Sequence, residues 1–341
     1  MRCAVVGAGA WGTALADLLA RNGHDVLLWA READVVERIN ERHENARFLA
    51  GFTLDSGLGA TTEMAAAVDG AALVVYASPS HVLRDIARAT APAVARDAIL
   101  VVASKGIERE TLEIMTDVVG DELAGRAVVA LSGPSFAAEV AARQPTAVVA
   151  ASTAPHASAA AQHAFSSDVF RVYTSDDVAG VELGGALKNV MAVATGIVEG
   201  LGLGFNSRAA LITRGLAEMT RLGLALGAQP ATFAGLAGLG DLVLTCTGAL
   251  SRNRAVGVEL GEGKPLDAIL ASRETVAEGV LNTRSAAALA AREGVEMPIV
   301  EAVHRILFDG QEPRRAIAQL MTRELRAESD EDRMGSTREE G

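Results

Sequence analysis

Val181 to Glu199 reads VELGGALKNVMAVATGIVE, an apolar helical stretch broken near its middle by Lys188 and Asn189. A helix apolar on every side is a buried one. An ammonium carried into such a helix loses hydration, which lowers its pKa toward the range where it exchanges protons. Lys188 is therefore the first candidate for acid–base chemistry. The alternative is an ammonium that reaches past its own stem to a domain surface or a structural carboxylate. Composition bears on the choice, because the chain holds 28 arginines and only three lysines, Lys105, Lys188 and Lys264. Where arginine is the default cation, a retained lysine points to a task a guanidinium cannot perform.

Other residues could share the work. Lys105 follows an apolar run within Ser104-Lys105-Gly106, where a cation would meet cofactor and substrate together; an exposed loop lysine is the other reading. Asp241 follows the glycine-rich turn Ala237-Gly-Leu-Gly240 and could balance Lys188, bind a substrate hydroxyl, or cap a helix. Ser251, Arg252 and Asn253 open a helix, where charge-assisted bonds and backbone N–H groups could hold a phosphate. Gly133-Pro134-Ser135-Phe136-Ala137 places a proline where a first helical turn is expected, with donors facing outward.

The elements that position these groups begin at the N-terminus. Arg2 to Val6 is a short apolar run followed by Gly7-Ala-Gly9-Ala10-Trp11-Gly12 and a periodic segment to Leu19. Strand, glycine turn and helix in that order form a dinucleotide-binding fingerprint: Gly7 for the turn, Gly9 for approach of the pyrophosphate, Gly12 for helix–strand packing. The second strand, Asp25 to Ala30, ends beside Arg31, with Ala30 near the position where an acidic residue holds a free ribose hydroxyl. NADP(H) is therefore favoured, with NAD(H) admitted through Glu32 if the register slips. Further apolar runs at Ala72 to Ala77, Ile99 to Ala103, Ala127 to Leu131 and Thr146 to Ala151 alternate with helical or polar stretches, as in a doubly wound parallel sheet. After Phe170 to Tyr173 the pattern turns helical. Helices are expected over Ser207 to Leu226, Leu281 to Ala290, Ile299 to Leu307 and Arg315 to Leu320. The expected organisation is an α/β dinucleotide-binding domain over 1–177, an all-helical substrate domain over 178–321, and a frayed tail over 322–341, where eleven of twenty residues are charged.

Composition removes several classes. With 341 residues, half of them hydrophobic, two domains with real cores are affordable. A formal charge of −12 and a pI near 5.1 oppose nonspecific binding to nucleic acid or an anionic membrane. Two distant cysteines, Cys3 and Cys246, and six scattered histidines fit neither disulfide nor metal spacing, so a reducing cytoplasm and no metal are expected. The chain opens directly on a strand, so no leader is expected. Val181 to Val198 approaches a membrane span in apolarity, but its charges and glycines mark a core helix, and no stable membrane insertion is expected.

Taken together, GAGAWGTALA at Gly7 to Ala16, SKGIE at Ser104 to Glu108, LSGPSFAAEV at Leu131 to Val140, GGALKNVMAVATGI at Gly184 to Ile197, AGLGDLVLTCTG at Ala237 to Gly248, SRNR at Ser251 to Arg254 and VAEGVLNT at Val276 to Thr283 give the chain a resemblance to the bacterial NAD(P)-dependent glycerol-3-phosphate dehydrogenases over essentially its whole length. The resemblance implies a Rossmann-like sheet domain and an all-α C-terminal domain of the 6-phosphogluconate dehydrogenase-like type. It implies reversible reduction of dihydroxyacetone phosphate to sn-glycerol 3-phosphate, for phospholipid synthesis, by a cytoplasmic enzyme. Lys188 would be the proton donor and acceptor. Lys105, Gly133, Ser135, Lys188, Asp241, Ser251, Arg252 and Asn253 would line the substrate site. Ala10, Trp11, Arg31, Lys105, Ala137, Arg252, Val276 and Glu278 would contact the cofactor beside the three glycines. Ala10 departs from the serine frequent in the family, which preserves a backbone contact and removes a hydroxyl. A homodimer is expected from the apolar helical half. A reductase of the same plan acting on a hydroxyacid or sugar acid is the competing reading, as is a non-catalytic nucleotide sensor.

Overall fold

A computed structural model describes residues 1–273, 277–325, 327 and 328. Alternating apolar runs and helices wind into one eight-stranded sheet: β1 (Arg2–Val6), β2 (Asp25–Trp29), β3 (Leu58–Thr61), β4 (Leu73–Tyr76), β5 (Ile99–Val102), β6 (Val128–Ser132), β7 (Thr146–Ala151) and β8 (Phe170–Ser175). The spatial order is β3-β2-β1-β4-β5-β6-β7-β8, so the winding reverses between β1 and β4. A crevice at such a reversal, outside the carboxyl ends of the strands, is where this architecture takes ligands. β1 to β6 are parallel, as the alternation predicts. β7 then pairs antiparallel to β6, and β8 runs with β7, which makes the whole sheet mixed. The edge strand β3, of sequence LGAT, escapes the pattern of apolar runs because it is four residues long and half of it is Gly and Thr.

No strand follows β8 among the described residues; the chain continues as helices to Met321. The central one, Val178–Gly200, begins at Asp177, whose carboxylate caps it by accepting the Gly180 N–H at 2.9 Å and also takes Gln229 N–H and the Thr232 hydroxyl. Every residue from Gly180 to Val198 is buried, so this long apolar segment is enclosed by protein. Its tightest neighbour is helix Arg252–Gly261. A Cβ on Gly196 would lie 2.1 Å from the Arg254 carbonyl, and one on Gly257 would lie 2.1 Å from that of Val193, so the two backbones touch. Helices Phe205–Ala225, Asp241–Thr247, Glu278–Glu293 and Pro298–Phe308 complete the enclosure.

Two local expectations change. Pro134 lies ahead of the short helix Ala137–Ala141, whose N-cap is Phe136, so the proline does not open its first turn. The Ala237–Gly240 stretch is not a loop: Leu236–Gly240 forms one turn of π-helix that runs straight into Asp241–Thr247. The 322–341 tail falls largely outside the described residues, as does Val276.

Candidate active site

Lys188 is 7% exposed in the central helix, and its ammonium donates to Oδ1 of the fully buried Asp241. Lys105, carried on the segment after β5, donates to the other oxygen, Asp241 Oδ2, at 2.7 Å and to the Gly133 carbonyl at 3.2 Å. One carboxylate thus bridges two lysines, one from the segment after β5 and one from the central helix. Asp241 lies in the first turn of its helix, with Gly240 at the N-cap, so the capping reading falls and the balancing one stands. Thr245 steadies it, donating to the Asp241 carbonyl at 2.6 Å.

Electrostatics follow from the burial. Desolvation pushes the Lys188 ammonium down to about 7; Asp241 opposes that shift and the like charge of Lys105 adds to it. Burial alone would raise Asp241, but the two lysines outweigh it and hold its carboxyl below the ordinary range. A group that titrates near neutrality beside a fixed anion can give or take a proton at working pH.

The remaining sequence candidates fall around this centre in different ways. Asn253 is buried and points inward: its Nδ2 donates to Asn189 Oδ1 at 2.9 Å, and its Oδ1 accepts the Gly279 N–H at 2.9 Å. The SRNR turn is thereby tied to the residue beside Lys188. Ser251 is the N-cap of its helix and accepts from Arg254 N, while Arg252 is exposed at the first helical position. Arg254 turns away to Glu199, at 2.6 and 2.9 Å. Ser135 donates to the Gly133 carbonyl at 3.0 Å. Asn189 received no role from the sequence; its place next to Lys188 was the only signal.

The glycine loop fits a dinucleotide. Gly7 has φ +119° and sits 3.0 Å, by its missing Cβ, from the Ala77–Ser78 backbone, while a Cβ on Gly12 would lie 1.9 Å from the Gly7 carbonyl. These two glycines serve packing. Gly9, the N-cap of helix Ala10–Arg21, meets nothing within 4 Å, so its bareness leaves room for something outside the protein. Trp11 Nε1 beside it and Ser78 Oγ at the end of β4 are buried without a hydrogen-bond partner among the described residues. Backbone N–H groups at a helix start, open space and orphaned donors suit a pyrophosphate-linked nucleotide. Ala10 and Ala137 are half-buried, each at the first position of its helix. Arg31 is exposed at the end of β2 and pairs with Glu32 at 2.8 Å. Glu278 bonds Ser80, after β4, and burial raises its carboxyl above the usual range.

A doubly wound sheet with a nucleotide loop, facing a lysine–carboxylate–lysine centre on a buried helix, defines a pyridine-nucleotide oxidoreductase. Residues 2–158 match the N-terminal part, and residues 177–318 the C-terminal part, of NAD-dependent glycerol-3-phosphate dehydrogenase. The chain belongs to that family. It is 55% identical over 330 residues to glycerol-3-phosphate dehydrogenase [NAD(P)+] of Geobacter sulfurreducens, covering 96% of this chain and 98% of the relative, and 52% identical at the same coverage to that of Geobacter sp. strain M21. The crystal structure of glycerol-3-phosphate dehydrogenase from Coxiella burnetii superposes with a TM-score of 0.91 at 41% identity, over 94% of this chain and 99% of that one.

Proposed function

We propose that the chain reduces dihydroxyacetone phosphate to sn-glycerol 3-phosphate, reversibly, with NADP(H) favoured and NAD(H) accepted. The observation that carries this reading is the Lys188–Asp241–Lys105 centre at the mouth of the nucleotide crevice. A nicotinamide dinucleotide held by the glycine loop would supply the hydride for the substrate carbonyl. Lys188 gives its proton to the carbonyl oxygen in that direction and takes it back in the other. Asp241 holds the ammonium charged and aimed, and Lys105 polarises the same oxygen or its neighbour. Arg252 and the N–H groups at the start of its helix hold the phosphate, with Ser251 and Asn253 fixing that turn and Gly133 and Ser135 closing the far wall. Gly7, Gly9, Ala10, Trp11, Gly12, Ala137 and Glu278 hold the nucleotide, and Arg31 meets its 2′-phosphate once released from Glu32.

In this reading residues 1–177 bind nucleotide and 178–321 bind substrate, and the enzyme is a cytoplasmic homodimer that feeds glycerophospholipid synthesis. Against a hydroxyacid or sugar-acid reductase stands the single exposed Arg252 in place of a carboxylate clamp. NADPH consumption with purified protein and dihydroxyacetone phosphate tests the assignment: turnover is expected, and none at any practical concentration would overturn it.

A further inference from the structure

Helix Glu278–Glu293 reaches from the helical half back onto the strand ends of the sheet. At its first position the Glu278 carboxylate takes two donors from one residue: the Ser80 hydroxyl at 2.5 Å on Oε2 and the Ser80 N–H at 3.2 Å on Oε1. Ser80 begins the short 3₁₀ turn Ser80–Val82 directly after β4, where the strand order reverses. It is buried there, and its seat is built by Gly106, the residue after Lys105. A Cβ on Gly106 would lie 2.5 Å from the Ser80 Cβ and 2.7 Å from its hydroxyl. One turn along the same helix, the buried Asn282 faces the carbonyls of Lys105 and Ala186, each at 3.5 Å.

A carboxylate has roughly four acceptor sites, and Ser80 occupies one on each oxygen. The others remain for a ligand with donors. A buried anion will not sit against a pyrophosphate, so its partner belongs to a nucleoside. The adenosine side of the crevice lies toward β2 and Arg31, which leaves the nicotinamide nucleoside, with its ribose hydroxyls and carboxamide, on the side of β4.

We propose that Ser80 is a positioning residue of the nucleotide site: its N–H and O–H fix both oxygens of Glu278 so that the carboxylate accepts donors from the nicotinamide-nucleoside half of the dinucleotide. The proposal rests on the reading of Glu278 as a cofactor contact. A hydroxyl bound to a carboxylate is among the stronger hydrogen bonds, and its loss frees Glu278 to turn away.

Ligand titration on the full chain tests it, with NADPH fluorescence for the intact cofactor and calorimetry for adenosine 2′-phosphate 5′-diphosphate, which lacks the whole nicotinamide nucleoside. Ser80→Ala should weaken NADPH roughly tenfold and leave the adenosine fragment within about twofold. In a Glu278→Ala background the same change should weaken NADPH no further. An unchanged NADPH affinity, an equal loss for both ligands, or an undiminished effect without Glu278 would overturn the proposal and leave Ser80 a staple between the two halves. Binding is read without substrate, so a failure to turn over dihydroxyacetone phosphate is a separate result.

Discussion

Replacing Asp241 by asparagine removes one charge and almost no volume from a fully buried position between two ammonium groups. Lys188 stands at about 7 because burial lowers it, Lys105 lowers it further, and Asp241 alone opposes both among the causes of the shift. An opposite charge in contact is worth about 1–3 pK units. Its removal should lower Lys188 by about that much, and take the protonated fraction at neutral pH from about one half to between about one in ten and one in a thousand. Reduction needs the protonated form, so its kcat/KM at pH 7 should fall about fivefold to several hundredfold. The signature is the pH profile, measured as NADPH consumption with saturating cofactor between about pH 5 and pH 9. In the parent the rate of reduction should decline above about 7. In Asp241→Asn that decline should begin about one to three pH units lower, and the deficit should shrink as pH falls. Lys188→Ala sets the floor, with a loss of about a hundredfold or more that no pH restores. If Asp241→Asn loses activity equally at every pH with its decline still near 7, the carboxylate does not set the proton affinity of Lys188, and the reasoning fails.

The glycine loop separates packing from binding. Gly9→Ala places its methyl in open space at an ordinary φ of −65°, so the melting temperature should hold while NADPH affinity falls at least about tenfold. Gly12→Ala drives a Cβ into the Gly7 carbonyl and should lower the melting temperature as well; equal melting of both variants would contradict the division. Glu182 is buried in the central helix with both its donors, Thr116 N–H and hydroxyl, on Oε2, and burial lifts its carboxyl from 4.5 to about 8. The folded state therefore holds a proton that the unfolded state has released between those values, so this group's stabilisation is complete below about 4.5 and lost as pH rises through 8. Glu182→Gln should flatten that fall, with urea unfolding showing a gain at pH 8 that vanishes near pH 4.5; a gain equal at both would remove Glu182 as the source. Arg31→Ala should weaken NADPH much more than NADH, and equal weakening in binding titrations would show that this guanidinium does not read the 2′-phosphate.

Much of this was legible along the chain. Strands β1, β2 and β4 to β7 are short unbroken apolar runs, and the central helix is too apolar to lie anywhere but inside. What stayed hidden has a common cause. A residue pattern reports which face is buried and not what it faces. The direction of β7, the weak edge strand β3, the π-turn at Leu236–Gly240 and the pairing of Glu182 with Thr116 are all settled by partners distant in sequence. Lys188 could be read as a displaced cation from its helix alone, but its carboxylate lies 53 positions on, and nothing near Asp241 names the lysine it meets. Ser80 follows the apolar run Ala72 to Ala77 with nothing in its neighbours to mark it, and only the contact with Glu278 gives it a task.

Two glycines one turn before Lys188 explain how the centre is assembled. A Cβ on Gly184 would lie 2.4 Å from the Ala237 carbonyl, so the π-turn lies directly on the central helix there, and that turn delivers Asp241 four residues later. A Cβ on Gly185 would lie 2.7 Å from Ser132 Oγ and 3.4 Å from Lys105 Cδ, so the other glycine admits the Ser132 hydroxyl, with the stem of Lys105 beside it in ordinary contact. GGALK is thus a single device: one glycine seats the turn that carries the anion, the next admits the serine at the end of β6 beside the second cation, and the lysine below meets the anion. The two should be separable. Gly184→Ala must push a backbone carbonyl, which moves Asp241 from Lys188 and lowers the onset of the decline in reduction with pH, as Asp241→Asn does. Gly185→Ala presses on the Ser132 hydroxyl and meets the stem of Lys105 only at ordinary contact distance, so it should leave the onset where it is. A lowered onset for Gly184→Ala and an unmoved one for Gly185→Ala are the expected result; an unmoved onset in both would mean that these glycines serve helix packing alone and that the proton affinity of Lys188 is set elsewhere.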